Sequence, residues 1–215
     1  MRLILMRHGQ TGSNERGALD TAVPGAVLTD LGLRQATEAV PHLVARGVTS
    51  VFSSELTRAR QTASALAEHL RTEAAVVSGL REIGAGDLEM RSDPDAIRGY
   101  AHTVLTWLSG ALDERMPGGE SGHEFLSRYD DAVDALAEQA SGHGHDTVVA
   151  VSHGAAIGTW VHGRAVNRAT WSETPRLRNT GIVALEGEPG QWRISEWVGD
   201  PLGGPQLDAP DAYGR

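Results

Sequence analysis

Five residues stand out in the 215-residue sequence for the chemistry they could do together. Arg7 and His8 are adjacent and followed by Gly9, and a second His-Gly pair occurs at His153-Gly154. Arg58 lies at the start of an apolar-periodic stretch, and Glu82 sits within Leu80-Arg81-Glu82-Ile83. Two guanidinium groups offer fork-shaped donors that match the oxygens of a tetrahedral dianion. A neutral imidazole is a good nucleophile toward phosphorus. A carboxylic acid close by could protonate a departing alkoxide. If the fold brings these five to one point, the chemistry is the binding and transfer of a phosphoryl group. Taken alone, Arg7-His8 reads more simply as a solvated loop after a buried strand; the matching residues downstream weaken that reading.

The elements that must position them follow from the pattern. Leu3-Ile4-Leu5-Met6 is a short apolar run closed by Gly9, as in a fully buried strand. The carboxyl ends of such strands are where open α/β sheets hold ligands, and Gly9 would let the backbone approach what is held there. Residues 12–28 mix Gly, Asn, Asp and Pro without a period and read as one long loop. Thr29 can cap a helix beginning at Asp30, with Leu33, Ala36, Val40, Leu43 and Val44 on one face. Pro41 predicts a kink or break in it, and Gly47 a stop. A strand over 48–53 leads into a helix over 56–70, whose first turn carries Arg58 where backbone N–H groups could join it in gripping an anion. A short strand over 74–77 precedes Glu82.

The second half is less regular at first. Residues 97–112 read as a helix with Tyr100, Val104, Trp107 and Leu108 on one side, and 116–120 break the chain. Ser121 and Glu124 form a capping box opening a helix to about residue 140, with Phe125, Tyr129, Val133 and Leu136 as its buried stripe. Residues 147–152 are the most β-like run and predict a central strand, ended by His153 and followed by a helix. Residues 181–185 and 192–197 predict a hairpin, and the Pro/Gly-rich tail 199–215 a loop, partly disordered. Alternating strands and helices give an α/β fold: three layers, α/β/α, around a mostly parallel sheet. One domain spans 1–198, with a lid-like insertion at about 84–120.

Composition narrows the function classes. A net charge of −9 argues against general nucleic-acid binding and gives no reason to expect an anionic membrane as partner. No apolar run approaches the roughly 20 residues that cross a bilayer, and no signal-type apolar segment follows Arg2, so a cytoplasmic protein is expected. The absence of Cys removes disulfides, thiolate metal sites and a Cys nucleophile. His143-Gly144-His145 lacks a third ligand at helical spacing and reads as a solvated turn, so neither a metal nor a cofactor is expected. His42, His69 and His162 read as surface or capping residues; His102 and His123, flanking the insertion, could touch substrate.

In order along the chain these segments resemble the histidine phosphatase superfamily, in its phosphoglycerate-mutase-like branch. Arg7-His8-Gly9-Gln10-Thr11 matches its signature, followed by Asn14 and by Leu28-Thr29-Asp30-Leu31-Gly32. Ser53-Ser54-Glu55-Leu56-Thr57-Arg58-Ala59-Arg60-Gln61-Thr62-Ala63 matches its second arginine segment. Leu80-Arg81-Glu82 with Gly86-Asp87-Leu88-Glu89 resembles its acid segment, and Pro117-Gly118-Gly119-Glu120-Ser121 and Val151-Ser152-His153-Gly154 complete the set. The resemblance covers the chain to about Trp197 and implies a phosphoglycerate-mutase-like fold. It implies His8 as phosphoryl acceptor, Arg7, Arg58 and His153 as holders of the phosphoryl oxygens, Asn14 as a further donor to them, and Glu82 as general acid, with Asp87 or Glu89 as substitutes. The substrate implied is a small-molecule phosphomonoester; a mutase and a non-catalytic phospho-ligand binder are the rival readings, and a homodimer is left open. Departures fall on the pocket wall: Ser13 replaces an aromatic, residues 15–27 lack the usual Gly-aromatic pattern, and Met90-Arg91 stands where a Gly is common. The mutase-type segment after Ile83 is absent, which favours a phosphatase.

Overall fold

The computed structural model describes residues 1–142, 147–171 and 176–209. The run Leu3-Ile4-Leu5-Met6 forms β1 (Arg2–Arg7), and Thr11 caps a short helix, α1 (Gly12–Arg16). Then come α2 (Asp30–Ala45), β2 (Ser50–Ser53), α3 (Thr57–Leu70), β3 (Ala75–Val76), α4 (Pro94–Leu108), α5 (Gly122–Gly142), β4 (Thr147–Ser152), α6 (Gly154–Arg164), β5 (Ile182–Glu186) and β6 (Arg193–Val198). The sheet order is β3-β2-β4-β1-β5-β6. The first four are mutually parallel, and the β5–β6 hairpin adds antiparallel to β1. Thr147–Ser152 is central, as its Val-rich, near-continuously apolar run predicts.

Alternation along β1 divides the interior in two. Leu3 and Leu5 face a core with Phe125, Tyr129, Val133 and Leu136 of α5 and Ile157 and Trp160 of α6. Ile4 and Met6 face Ala39, Val40 and Leu43 of α2 and Ala59, Ala63 and Leu66 of α3. Helices on both faces of the sheet complete the three layers. Ser121 N donates to Glu124 Oε2 and Glu124 N to Ser121 Oγ, so the expected capping box opens α5. Among the described residues no helix is long and apolar enough to cross a membrane.

The structure corrects several local expectations. Residues 12–28 are not one loop. The Thr11 hydroxyl accepts from Asn14 N while Asn14 Oδ1 accepts from Thr11 N, and this reciprocal cap nucleates α1. Pro41 does not end α2, which continues to Ala45; it sits on the exposed face, while Val40 and Leu43 beside it are buried. Leu33 and Val44, expected on the buried face, are 48% and 40% exposed. The helix expected over 97–112 starts at Pro94, capped by Asp93, and ends at Leu108, which is exposed. Gly9 serves helix packing rather than ligand approach: a Cβ there would lie 2.6 Å from Gly32 O, where α2 crosses the signature loop. The first part of the tail is irregular but docked, since Leu202 and Leu207 are buried and Leu207 O accepts from Gln35 Nε2 at 2.8 Å.

Candidate active site

Strand register places the two histidines. Arg7 pairs with Ser152 across the parallel β1–β4 ladder, so His8 and His153 leave the sheet side by side. His8 N donates to Ser152 O (3.0 Å), and the two ring centroids are 5.1 Å apart. β2, on the other side of β4, leads into α3, whose first turn delivers Arg58. Arg58 Nε then donates to His8 Nε2 at 3.0 Å. Arg7 Nη1 donates to Leu177 O at 2.9 Å, and a Cβ on Gly154 would fall 3.3 Å from Arg7 Nε, so glycine at the start of α6 leaves room for that guanidinium.

The chemistry of His8 follows from its partners. Nδ1 lies 2.7 Å from Gly9 O, and a carbonyl only accepts, so the proton is on Nδ1. The Nε2 lone pair therefore faces Arg58 and the cavity. Burial, and then the Arg58 and Arg7 guanidinium groups, hold the imidazole well below its usual pKa, so it is neutral at pH 7. His153 is pushed down in the same way by burial, then by Arg58 and His8. Its Nε2 lies 2.7 Å from Ser54 Oγ, and its buried Nδ1 has no hydrogen-bond partner among the described residues.

Glu82 lines the same cavity. Its carboxylate accepts from Ile83 N (2.9 Å), Ala156 N (2.8 Å) and Ala155 N (3.3 Å), filling the donor end of α6. The backbone behind it is fixed by Arg128, which donates to the carbonyls of Gly79, Arg81 and Glu82 and pairs with Glu120 at 2.7 Å. Glu120 of the Pro117-Gly118-Gly119-Glu120-Ser121 segment thus supports the acid segment without touching the cavity. Tyr100 of the 84–120 segment adds a further tie, its hydroxyl donating to Ile83 O at 3.0 Å.

Arg7, His8, Asn14, Arg58 and Glu82 all line one cavity of about 260 Å³, and His153 is buried beneath it against His8. Asn14 Oδ1 accepts from Thr11 N and from Asn179 Nδ2 (3.3 Å), which turns its amide nitrogen toward the cavity. Asp87 and Glu89 do not line it. Glu89 is held by Thr21 N, the Thr21 hydroxyl and Ala22 N. His102 and His123 are exposed away from the cavity, and His123 lies 3.5 Å from Asp113. His42 and His69 are exposed on their helices, and His143-Gly144-His145 lies outside the described residues. Among the described residues no group of three or more His, Cys, Asp or Glu is placed to hold a metal.

Three contributions escaped the sequence reading. Asp20 lines the cavity, its carboxylate 3.7 Å from Arg58 Nη1 and its carbonyl accepting Arg58 Nη2 at 2.8 Å. Ser13 Oγ (2.7 Å) and Ala26 N (3.0 Å) both donate to its Oδ2. Gly25, at φ +69°, completes this cradle, since a Cβ there would lie 2.6 Å from Arg58 Nη1. Asn179 donates to His8 O at 2.9 Å from a turn in which buried Thr180 takes φ +58°, a costly region for a β-branched residue. Thr62, one turn along α3, accepts Gly9 N and donates to Arg58 O. Only spatial neighbours mark these residues. The signal that was available is Ser13-Asn14, directly after the signature.

Residues 3–200 match the sequence model of the histidine phosphatase superfamily (branch 1). The chain belongs to that superfamily and is an enzyme of the histidine phosphatase type. It is 31% identical over 212 residues to a protein named probable phosphoglycerate mutase GpmB of Salmonella paratyphi B, covering 98% of this chain and 96% of that one. A mycobacterial glucosyl-3-phosphoglycerate phosphatase, solved in complex with VO3, is 27% identical with a TM-score of 0.74, covering 93% of this chain and 99% of that one. The alpha-ribazole phosphatase from Shigella flexneri shares the fold at 23% identity and a TM-score of 0.70, covering 94% of this chain and 97% of the other.

Proposed function

We propose that this chain is a metal-independent phosphomonoester hydrolase working through a phosphohistidine on His8. The observation that carries the reading is the state of His8: proton on Nδ1, neutral, with Nε2 on the side of a cavity that Arg7 and Arg58 make cationic, its lone pair held by a hydrogen bond from Arg58 that a phosphoryl group would displace. In the first step Nε2 attacks phosphorus and the ester P–O bond breaks. The departing oxygen takes a proton from Glu82. In the second step water attacks the phosphoryl group, Glu82 takes its proton, and the N–P bond breaks to release phosphate. Arg7, Arg58 and His153, with Asn14 as a further donor, stabilise the charge on the phosphoryl oxygens. That is the neutralising work that Mg²⁺ does in other phosphoryl-transfer sites.

Both a phosphatase and a protein named as a probable mutase are among the similar proteins. Hydrolysis is favoured here because residues 84–89 form only a short turn, Gly86–Leu88, between Glu82 and the rest of the 84–120 segment. Supplied with 3-phosphoglycerate and a trace of 2,3-bisphosphoglycerate, the protein is expected to release phosphate and to interconvert little. Rapid formation of 2-phosphoglycerate without phosphate release would make it a mutase.

A further inference from the structure

Building on the hydrolase reading, we infer that the substrate is the phosphomonoester of an uncharged, predominantly apolar alcohol or phenol. The cavity has a charged floor and a wall of a different kind. The floor cations are committed to the phosphoryl end: Arg58 donates to His8 Nε2 and Asp20 O, and Arg7 to Leu177 O. The wall away from the floor includes Ala18, Leu19, Ile97, Ala101 and Leu177, beside Thr11, Ser13 and Thr21, whose hydroxyls are already engaged with Asn14 N, Asp20 and Glu89. Tyr100 also borders the cavity, with its hydroxyl turned away to donate to Ile83 O. Close by, the N–H of Met90 donates to Leu19 O, and its apolar side chain is 55% exposed on a backbone at φ +61°, a region that favours glycine.

Little charge on this cavity is left over to receive an anionic leaving group. Asp20 and Glu82 both border it, and the further cation of the wall, Arg176, is itself engaged. A carboxylate on the leaving group would meet the Asp20 carboxylate at reduced dielectric, while Glu82 holds the proton meant for the leaving oxygen. A polyol would have to compete for the Thr11, Ser13 and Thr21 hydroxyls, which already serve Asn14 N, Asp20 and Glu89. An apolar group meets neither penalty and gains from leaving water.

The test is kcat/KM for ethyl, butyl and hexyl phosphate, whose leaving oxygens are chemically alike, beside glycerol phosphate and 3-phosphoglycerate. The value is expected to climb about two- to fourfold per methylene, fourfold being the limit for a fully buried one. 3-Phosphoglycerate should fall at least tenfold below butyl phosphate. Ile97→Ala should flatten the hexyl-to-ethyl ratio several-fold. If phosphate is released but the alkyl series is flat, or 3-phosphoglycerate leads, the apolar assignment is wrong and the hydrolase reading stands. If no member releases phosphate, the hydrolase reading fails and this inference with it.

Discussion

Asp20→Asn isolates one charge in the floor of the cavity. The Asp20 and Arg58 side chains are only 8% and 4% exposed, and Nη1 lies 3.7 Å from Oδ1. At that distance, with an effective dielectric of about 20, the attraction is about 4–5 kcal/mol before desolvation is charged against it. Burial presses the Arg58 pKa down, and Asp20 is the strongest influence holding it up. Removing one partner of a buried pair typically costs about 3–5 kcal/mol. Arg58 keeps its bonds to Asp20 O and His8 Nε2, and the Asn oxygen can still accept from Ser13 and Ala26. The net loss should therefore be nearer 2–4 kcal/mol in urea unfolding at pH 7. A bound dianion would take over the unpaired guanidinium edge. Saturating inorganic phosphate should thus return at least about 1 kcal/mol more to the variant than to the parent, by linkage. A variant within about 0.5 kcal/mol of the parent, or one that gains no more from phosphate, would refute the idea that Asp20 balances Arg58 until the phosphoryl group arrives.

Other outcomes are equally definite. Glu82→Gln keeps the shape but can neither deliver nor accept the proton, so kcat should fall about 10²–10⁴-fold on alkyl phosphates and less on p-nitrophenyl phosphate; equal losses in single-turnover assays would remove Glu82 as leaving-group acid. Arg128→Ala breaks a pair whose side chains are 13% and 15% exposed and frees three carbonyls behind Glu82, so unfolding free energy should drop about 3–5 kcal/mol, a loss measurable by urea titration. His8 and His153 are both held below 6.5 in the folded state, so the unfolded chain takes up protons first as pH falls. The stability they contribute is complete above about pH 6.5 and declines below it, by up to about 1.4 kcal/mol per pH unit for each; unfolding titrations that stay flat from pH 7 to 5.5 would contradict this.

What the sequence revealed, and what it concealed, divides along a physical line. Strands with continuous apolar runs and helices with strong caps are local statements, so β1, β4, α5 and the Thr29 cap were legible. Strand ends carrying His8 and His153 could be placed at one edge because parallel α/β sheets collect their strand ends there. Asp20, Gly25 and Asn179 were not legible, because each acts on a residue far away in the chain and sits in an aperiodic stretch. α1 was missed because its stability comes from one reciprocal cap rather than from a periodic apolar face. Gly9 was assigned the wrong neighbour for a related reason. Its closeness to Gly32 is a property of how α2 crosses the signature loop, which no window around residue 9 contains.

The central claim is that His8 Nε2 carries the phosphoryl group during turnover, and rapid-quench labelling tests it directly. With an excess of substrate carrying a labelled phosphoryl group, protein quenched within the first turnover should hold label approaching one equivalent, stable in base and lost in acid. The label should map to His8 and disappear in His8→Ala with the fold intact by circular dichroism. Steady release of phosphate with no protein-bound label at any quench time, or label that persists in His8→Ala, would contradict it.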